Sequence, residues 1–289
     1  MASSFQATTD WESSYLALLE RILVQGEDRP KERTGTGTRS LFSASLDIHL
    51  CDDPAEQGRL VFPAVTTKKL FFKSMSTELA WFLQGGHTLR YLHQHGVHIW
   101  DQWADQQGDL GPVYGAQWRD WQSRHGHFDQ LEQLIDGLRK NPSGRRHLIS
   151  AWNVGEIDQM ALPPCPLLWQ VYLRRRQDGL IGVQVQLYQR SADAFLGLPF
   201  NIANTALFAT LIAQTLGGHY LAERIIWIGG DVHLYWNHFK QAHTQLERTP
   251  WPTPRLTLDA MAHVFNFEPD MASLVQYDHQ GELRAPIAV

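Results

Sequence analysis

Four residues, Pro163-Pro164-Cys165-Pro166, constrain this chain more than any others, because three prolines around one cysteine leave the backbone little choice. Each proline fixes its own φ and pushes the residue before it out of the helical region, so the stretch is extended and Cys165 has a defined direction. Two strand patterns follow, over 167–173 and 180–188, the second alternating Ile181, Val183, Val185 and Leu187 with Gln184 and Gln186. A hairpin of these strands brings Arg190 back beside Cys165. A permanent cation near a thiol favours thiolate, the nucleophilic form. Arg174-Arg175-Arg176 fall at the connecting turn and read as a solvated hairpin tip.

The remaining periodicities alternate helix and strand. From Trp11, the residues Tyr15, Leu18, Leu19, Ile22 and Leu23 take helical spacing, and Gly26 reads as the helix C-terminal glycine. Leu46, Ile48 and Leu50 alternate with Asp47 and His49 as a half-buried strand; 60–65 reads as another extended piece, running into Thr66-Thr67-Lys68-Lys69. Helices are predicted over 74–84, 91–97 and 129–140, and Asn141-Pro142-Ser143-Gly144 breaks the last. Arg145-Arg146 then opens a strand over 147–152; neighbours on an extended segment point to opposite faces, so both reach one anion only through a bend or a second subunit. The most continuous apolar helix, 200–216, reads as central, and 225–228 as a buried strand leading into Gly229-Gly230-Asp231-Val232-His233-Leu234-Tyr235. Leu256 and Leu258 suggest a late strand. With no repeat, low-complexity tract or linker, the pattern predicts one α/β domain over 1–289, its polar first ten residues frayed.

Composition narrows the chemistry. A formal charge of −5 excludes the basic excess of a general nucleic-acid binder, yet allows an anionic small substrate held by a local arginine cluster. Two cysteines, Cys51 and Cys165, and no N-terminal apolar signal run point to a reducing cytoplasm. No stretch has the length of a membrane span, and no compact His/Cys spacing suggests structural zinc. The eleven tryptophans read mostly as core and interface packing, with some lining a site for flat rings. Lys31-Glu32-Arg33-Thr34-Gly35-Thr36-Gly37-Thr38 is either an ordinary flexible turn or a loop offering N–H groups, hydroxyls and a guanidinium to a phosphate. Glu78, beside the apolar face of its helix, is either a solvated flank residue or a partly buried acid with a raised pKa.

A set of ordered motifs then resembles one family. Arg33-Thr34-Gly35-Thr36-Gly37-Thr38, Glu78-Leu79-Ala80-Trp81-Phe82-Leu83, Ile99-Trp100-Asp101, Gly111-Pro112-Val113-Tyr114-Gly115 and Arg145-Arg146 all look like thymidylate synthase. So do Ala151-Trp152-Asn153, Pro164-Cys165, Gln189-Arg190-Ser191, Leu196-Gly197-Leu198-Pro199-Phe200-Asn201-Ile202-Ala203 and Gly229-Gly230-Asp231-Val232-His233-Leu234-Tyr235, in family order from about residue 14 to the last.

The resemblance implies a homodimer of α/β (α+β) subunits, each a single domain on a mixed β-sheet flanked by helices, with the sheets packed back to back. It implies reductive methylation of dUMP to dTMP by 5,10-methylenetetrahydrofolate through a covalent Cys165 adduct, releasing dihydrofolate, with no metal, DNA or membrane involved. Catalytic roles then fall to Cys165, Glu78, Asn201, Arg190 and Tyr114. The resemblance implies that Arg33, Arg190 and Ser191 hold the dUMP phosphate, joined by Arg145 and Arg146 of the partner subunit. Asn201 would pair with the uracil edge, His233 and Tyr235 with the ribose hydroxyl, and Asp193 would serve substrate and folate alike. Ile99, Trp100, Trp103, Leu162, Leu196, Gly197 and Phe200 would hold the folate, Lys68 would meet its glutamate tail, and Val289 would close over it.

The chain also departs from the family pattern. Pro166 stands where a histidine usually follows the cysteine, which removes an imidazole from the water network near the uracil oxygen. Gly86-His87-Thr88 and Val232 differ as well. These departures keep open a dUMP hydroxymethylase, in which water captures the methylene, and an inactive homologue that binds nucleotide or RNA. Trp100 and the complete tail favour hydride transfer, and Asn201 argues against a cytosine-directed relative.

Overall fold

The structure, a computed structural model, describes residues 10–30, 35–51 and 61–287. The first nine residues, Arg33, Leu60 and Val289 lie outside the described residues. The first part of the chain runs α1 (Trp11–Gln25), β1 (Glu27–Arg29), β2 (Thr38–His49), α2 (Phe72–Leu83), α3 (Leu89–Gln94), α4 (Tyr114–Arg119), β3 (Trp121–Ser123), β4 (Gly126–Phe128), α5 (Gln130–Lys140) and β5 (Leu148–Ser150). The second part runs β6 (Pro166–Arg175), β7 (Ile181–Asp193), α6 (Gly197–Leu216), β8 (Tyr220–Tyr235), α7 (Phe239–Leu246), β9 (Arg255–Leu258) and β10 (Ala272–Val275).

Six strands form a mixed sheet in the order β1-β2-β8-β7-β6-β5, antiparallel except for the parallel β7–β8 pair. A parallel pair needs a long crossover, and α6 provides it. Fourteen of the twenty residues of α6 are buried, among them Leu198, Ile202, Phe208, Leu211 and Ile212. A helix buried on all sides belongs to a core, and α6 packs between β7 and β8 on one side and α2 and α5 on others. The result is one α/β domain. On the sheet, alternation buries Val183, Val185, Leu187, Ile225 and Trp227, whereas Phe42 and Tyr172 stay 81% and 58% exposed. Ile226 and Ile228 are half-buried. Among the described residues no helix is long and apolar enough to cross a membrane.

Several local expectations change in three dimensions. Residues 61–65 form no strand; Val61 makes an isolated antiparallel bridge to Arg255, where Phe62 N donates to Pro254 O at 2.8 Å. Gly26 does end α1, but at φ −67°, so left-handed backbone is not the reason. A Cβ there would lie 2.5 Å from Ile22 O and 2.6 Å from Arg39 Cγ, so close approach excludes any side chain. Arg176 is not at a solvated tip: its side chain is 9% exposed, bound to Asp178 and Glu223. The strand expected over 180–188 runs on to Asp193 as β7, so Arg190 and Ser191 lie within it.

Candidate active site

The C-terminal half of β7, the start of α6, α2 and the last residues of the described chain enclose a cavity of about 610 Å³. Cys165 enters it from the residue before β6. Its backbone N–H donates to Tyr114 Oη at 2.9 Å, and its carbonyl accepts from Arg190 N at 2.9 Å, so the backbone is pinned on both sides. The prolines do a second job here, since proline offers only a carbonyl. Arg190 Nε donates to Pro164 O at 2.8 Å and Nη2 to Pro163 O at 2.7 Å, which holds Nη2 3.7 Å from Cys165 Sγ. Pro166 opens β6 at a register shift between Pro166 and Leu168, a position where a strand tolerates a missing N–H. Gly230 lets this region close up: a Cβ there would lie 2.8 Å from Arg190 O.

Glu78 projects from α2 into the same cavity. Trp100 Nε1 donates to its Oε1 at 2.8 Å, while Phe82, stacked 4.7 Å from Tyr114, fills the neighbouring wall. Burial pushes the Glu78 carboxyl up to about 7, and the Trp100 bond only partly opposes it. The partly buried acid is thus the reading of Glu78 that the structure supports.

On the opposite wall, the polarity of Asn201 is fixed by a chain of bonds. An indole N–H can only donate, so Trp227 Nε1 must meet Gln189 Oε1, at 3.0 Å. Gln189 Nε2 then turns to Asn201 Oδ1, at 3.0 Å, and to Ser191 O, at 3.0 Å. Asn201 therefore keeps a known acceptor end and a known donor end. Ser191, Asp193, His233 and Tyr235 line this side too, with His233 Nδ1 3.0 Å from Asp231 Oδ1. Asp193 Oδ1 accepts from Phe195 N at 2.9 Å and Leu196 N at 3.0 Å, which orders the turn into α6.

Ile99, Trp100, Trp103, Leu162, Leu196, Gly197 and Phe200 form an apolar wall. Lys68 is buried beneath it, donating from Nζ to Phe195 O over the Phe195 ring, and burial pulls its ammonium down to about 7. Its turn is held by Glu12, a buried carboxylate on α1 that accepts from Thr66 N at 2.9 Å, Thr67 N at 2.8 Å, Thr66 Oγ1 at 2.8 Å and Thr67 Oγ1 at 2.6 Å. Glu282 to Ala285 and Ile287 complete the mouth, tied down where His238 Nε2 lies 2.7 Å from Pro286 O. Arg145 and Arg146 are exposed ahead of β5 and form no part of this cavity's wall. Arg33 and Val289 lie outside the described residues. Glu12 and Asn204 are additions to the sequence reading, as is the role of Gln189; Asn204 lines the cavity with a buried Nδ2 that has no hydrogen-bond partner among the described residues.

The profile of a protein family described as Thymidylate synthase matches residues 13–289. The chain belongs to the thymidylate synthase family. With membership comes the family's general activity, a transferase step in dTMP biosynthesis on a uridine nucleotide with a folate cosubstrate. The cavity combines an apolar, largely aromatic wall with convergent polar groups, the make-up of a small-molecule site.

Proposed function

We propose that this thymidylate synthase family member converts dUMP to dTMP and dihydrofolate, with Cys165 as the nucleophile. The observation that carries this reading is the convergence of Cys165, Arg190, Glu78 and Asn201 on one cavity. Cys165 Sγ adds to C6 of the uracil, C5 becomes nucleophilic, and negative charge develops on the C4 oxygen. Arg190, held 3.7 Å from the sulfur, attracts negative charge there before the attack. The Asn201 donor end meets the C4 oxygen and its acceptor end the N3–H, a polarity fixed by Trp227 through Gln189. Glu78, near 7, is present in both protonation states at neutral pH, so it can supply a proton to that oxygen and help remove the C5 proton.

When bound, 5,10-methylenetetrahydrofolate supplies the one-carbon unit and the hydride. Trp100, Trp103, Leu162 and Phe200 offer its ring an apolar wall, Asp193 and the unpartnered Asn204 amide offer polar contacts, and Lys68 accepts a full charge when a carboxylate of the glutamate tail approaches. His233 and Tyr235 bind the ribose hydroxyl, and Tyr114 positions Cys165. Arg33, Arg190 and Ser191 take the phosphate with Arg145 and Arg146 of the partner subunit. Exposure of both these arginines, and the open sheet face bearing Phe42 and Tyr172, support a homodimer with sheets back to back. Val289 closes the site.

The test incubates the protein with C5-tritiated dUMP and methylenetetrahydrofolate and follows tritium release and dihydrofolate absorbance together. The two signals are expected to rise in step. Tritium release without dihydrofolate sinks the synthase reading for a hydroxymethylase, the outcome that the apolar Pro166 beside Cys165 makes worth seeking. Neither signal, with dUMP bound, leaves an inactive homologue. For the shared site, mixing inactive Arg146→Ala and Cys165→Ser dimers should restore activity in hybrids; no recovery despite proven subunit exchange excludes it.

A further inference from the structure

The turn that carries Trp100 and Trp103 into the cavity wall has a second side. His93, in the last turn of α3, and His98 and Asp101, in the turn that follows, meet there in solvent. His93 Nε2 lies 2.7 Å from Asp101 Oδ1, and His98 Nδ1 lies 2.8 Å from Asp101 Oδ2. The ligating atoms of all three residues fall within 4.8 Å of one another, and the imidazole centroids are 4.8 Å apart.

The backbone beneath these side chains is fixed. Leu92, Val97 and Trp100 are buried, and Val97 N donates to Leu92 O at 2.9 Å, with Trp103 N donating to Trp100 O at 3.1 Å. The side chains themselves are 42%, 63% and 42% exposed for His93, His98 and Asp101, so they can adjust without disturbing the core. His95 faces elsewhere, with Nδ1 3.0 Å from Tyr91 O and Nε2 4.0 Å from Glu268 Oε2.

Two imidazole nitrogens and one carboxylate oxygen are the donors that borderline divalent ions favour, whereas Mg²⁺ and Ca²⁺ prefer oxygen alone. Tetrahedral Zn²⁺ holds such atoms at about 2.0–2.1 Å, which separates ligands from one another by about 3.3 Å. The two histidines already turn a ring nitrogen each to one of the two oxygens of Asp101, so an ion taking both nitrogens and one of these oxygens enters as each ring N–H proton passes to solvent or to the other nitrogen of its ring, and the contact to the ligating oxygen opens by roughly 0.6 Å. We propose that His93, His98 and Asp101 form a surface site for a borderline divalent transition-metal ion such as Zn²⁺ or Cu²⁺, with water in the remaining position. The site is separate from the reaction proposed above and rests on its own side chains. A search for Cys/His spacing passes over it because one ligand is an aspartate.

The experiment measures Zn²⁺ binding by the metal-stripped full-length protein in competition with a chromophoric chelator, and records Cu²⁺ electron paramagnetic resonance. His98→Ala and Asp101→Asn should each weaken the tightest equivalent at least about tenfold. His127→Ala, which alters an exposed histidine paired with Asp120 outside this cluster, should leave it unchanged. Nitrogen superhyperfine splitting from two imidazoles in the wild type should fall to one in His98→Ala. Absence of any bound equivalent in the wild type, or a tightest equivalent that survives both substitutions in proteins with native circular dichroism, overturns the proposal.

Discussion

Two carboxylates of this molecule, Glu223 and Glu78, are both drawn out of water and end in opposite states. Glu223, at the start of β8, has a side chain only 5% exposed. Burial by itself raises its pKa, but bonds from Arg174, Gln184 and Arg176 outweigh that and bring it down to about 2. Arg174 Nε lies 2.9 Å from Oε2, Gln184 Nε2 2.9 Å from Oε2 and Arg176 Nη1 3.0 Å from Oε1. Gly182 makes the space, since a Cβ there would lie 2.2 Å from Glu223 Oε2. Glu78 receives a neutral donor, Trp100, and burial, only partly opposed by that bond, carries it up to about 7. A saturated carboxylate joins strands; an under-partnered one in a cavity wall remains able to change protonation near neutral pH.

If that contrast governs function, removing the charge at each site must hurt different things. Glu78→Gln should lower kcat by about 10²–10⁴, the usual range for a general acid or base, with dUMP binding retained. It should also stabilise the fold at high pH. The folded Glu78 holds its proton up to about 7 while the unfolded carboxyl loses it near 4.5, so the native state binds more protons in that window and stability falls as pH rises through it. Allowing for water in the cavity, the gain in Glu78→Gln at pH 8 is about 2 kcal/mol, read as a urea midpoint above wild type at pH 8 and equal to it at pH 4. Full activity in this variant would break the comparison at its functional end.

Glu223→Gln should do the reverse. It leaves Arg176, itself 9% exposed, beside a neutral amide and should cost about 2–4 kcal/mol, discounted because Arg174 is half in solvent. Turnover at a temperature where the variant is folded should stay within about twofold of wild type, since catalytic losses of the general acid–base kind are far larger. A large fall in kcat with an unchanged unfolding midpoint would mean that Glu223 is coupled to the cavity.

The sequence disclosed these sites unequally, for a physical reason. The Cys165–Arg190 pair was legible because prolines and period-two alternation act locally, and a hairpin is the shortest way to use them. The central helix over 200–216 was legible because unbroken apolar sequence has one place to go. Glu223 was invisible: its partners Arg174, near the end of β6, and Arg176, just beyond it, come from another part of the sheet and looked like a wet turn. Gln189 stood in the motif Gln189-Arg190-Ser191 with no role of its own, and only pairing with Trp227 on β8 and Asn201 on α6 shows what its amide does. His93, His98 and Asp101 are close in sequence, yet their convergence depends on how Leu92, Val97 and Trp100 anchor the turn. Local patterns specify elements, whereas the state of a buried charge is set by partners from distant parts of the chain.

The smallest predicted effect tests the bond that Trp100 donates to Glu78. Trp100→Phe keeps an aromatic wall and removes the donor at 2.8 Å that favours the ionised carboxylate. Loss of that bond raises the Glu78 pKa further, by roughly one unit, and moves the corresponding inflection of the kcat/KM pH profile upward by the same amount. Trp100 also lines the cavity, so a shape effect on folate binding must be told apart from the charge effect. A shape effect raises KM for the folate equally at every pH, whereas the charge effect translates the profile along the pH axis. Translation in Trp100→Phe that disappears in the Glu78→Gln background would tie the inflection to this carboxylate; an unmoved profile would mean that some other group titrates there, and the contrast with Glu223 would then concern stability alone.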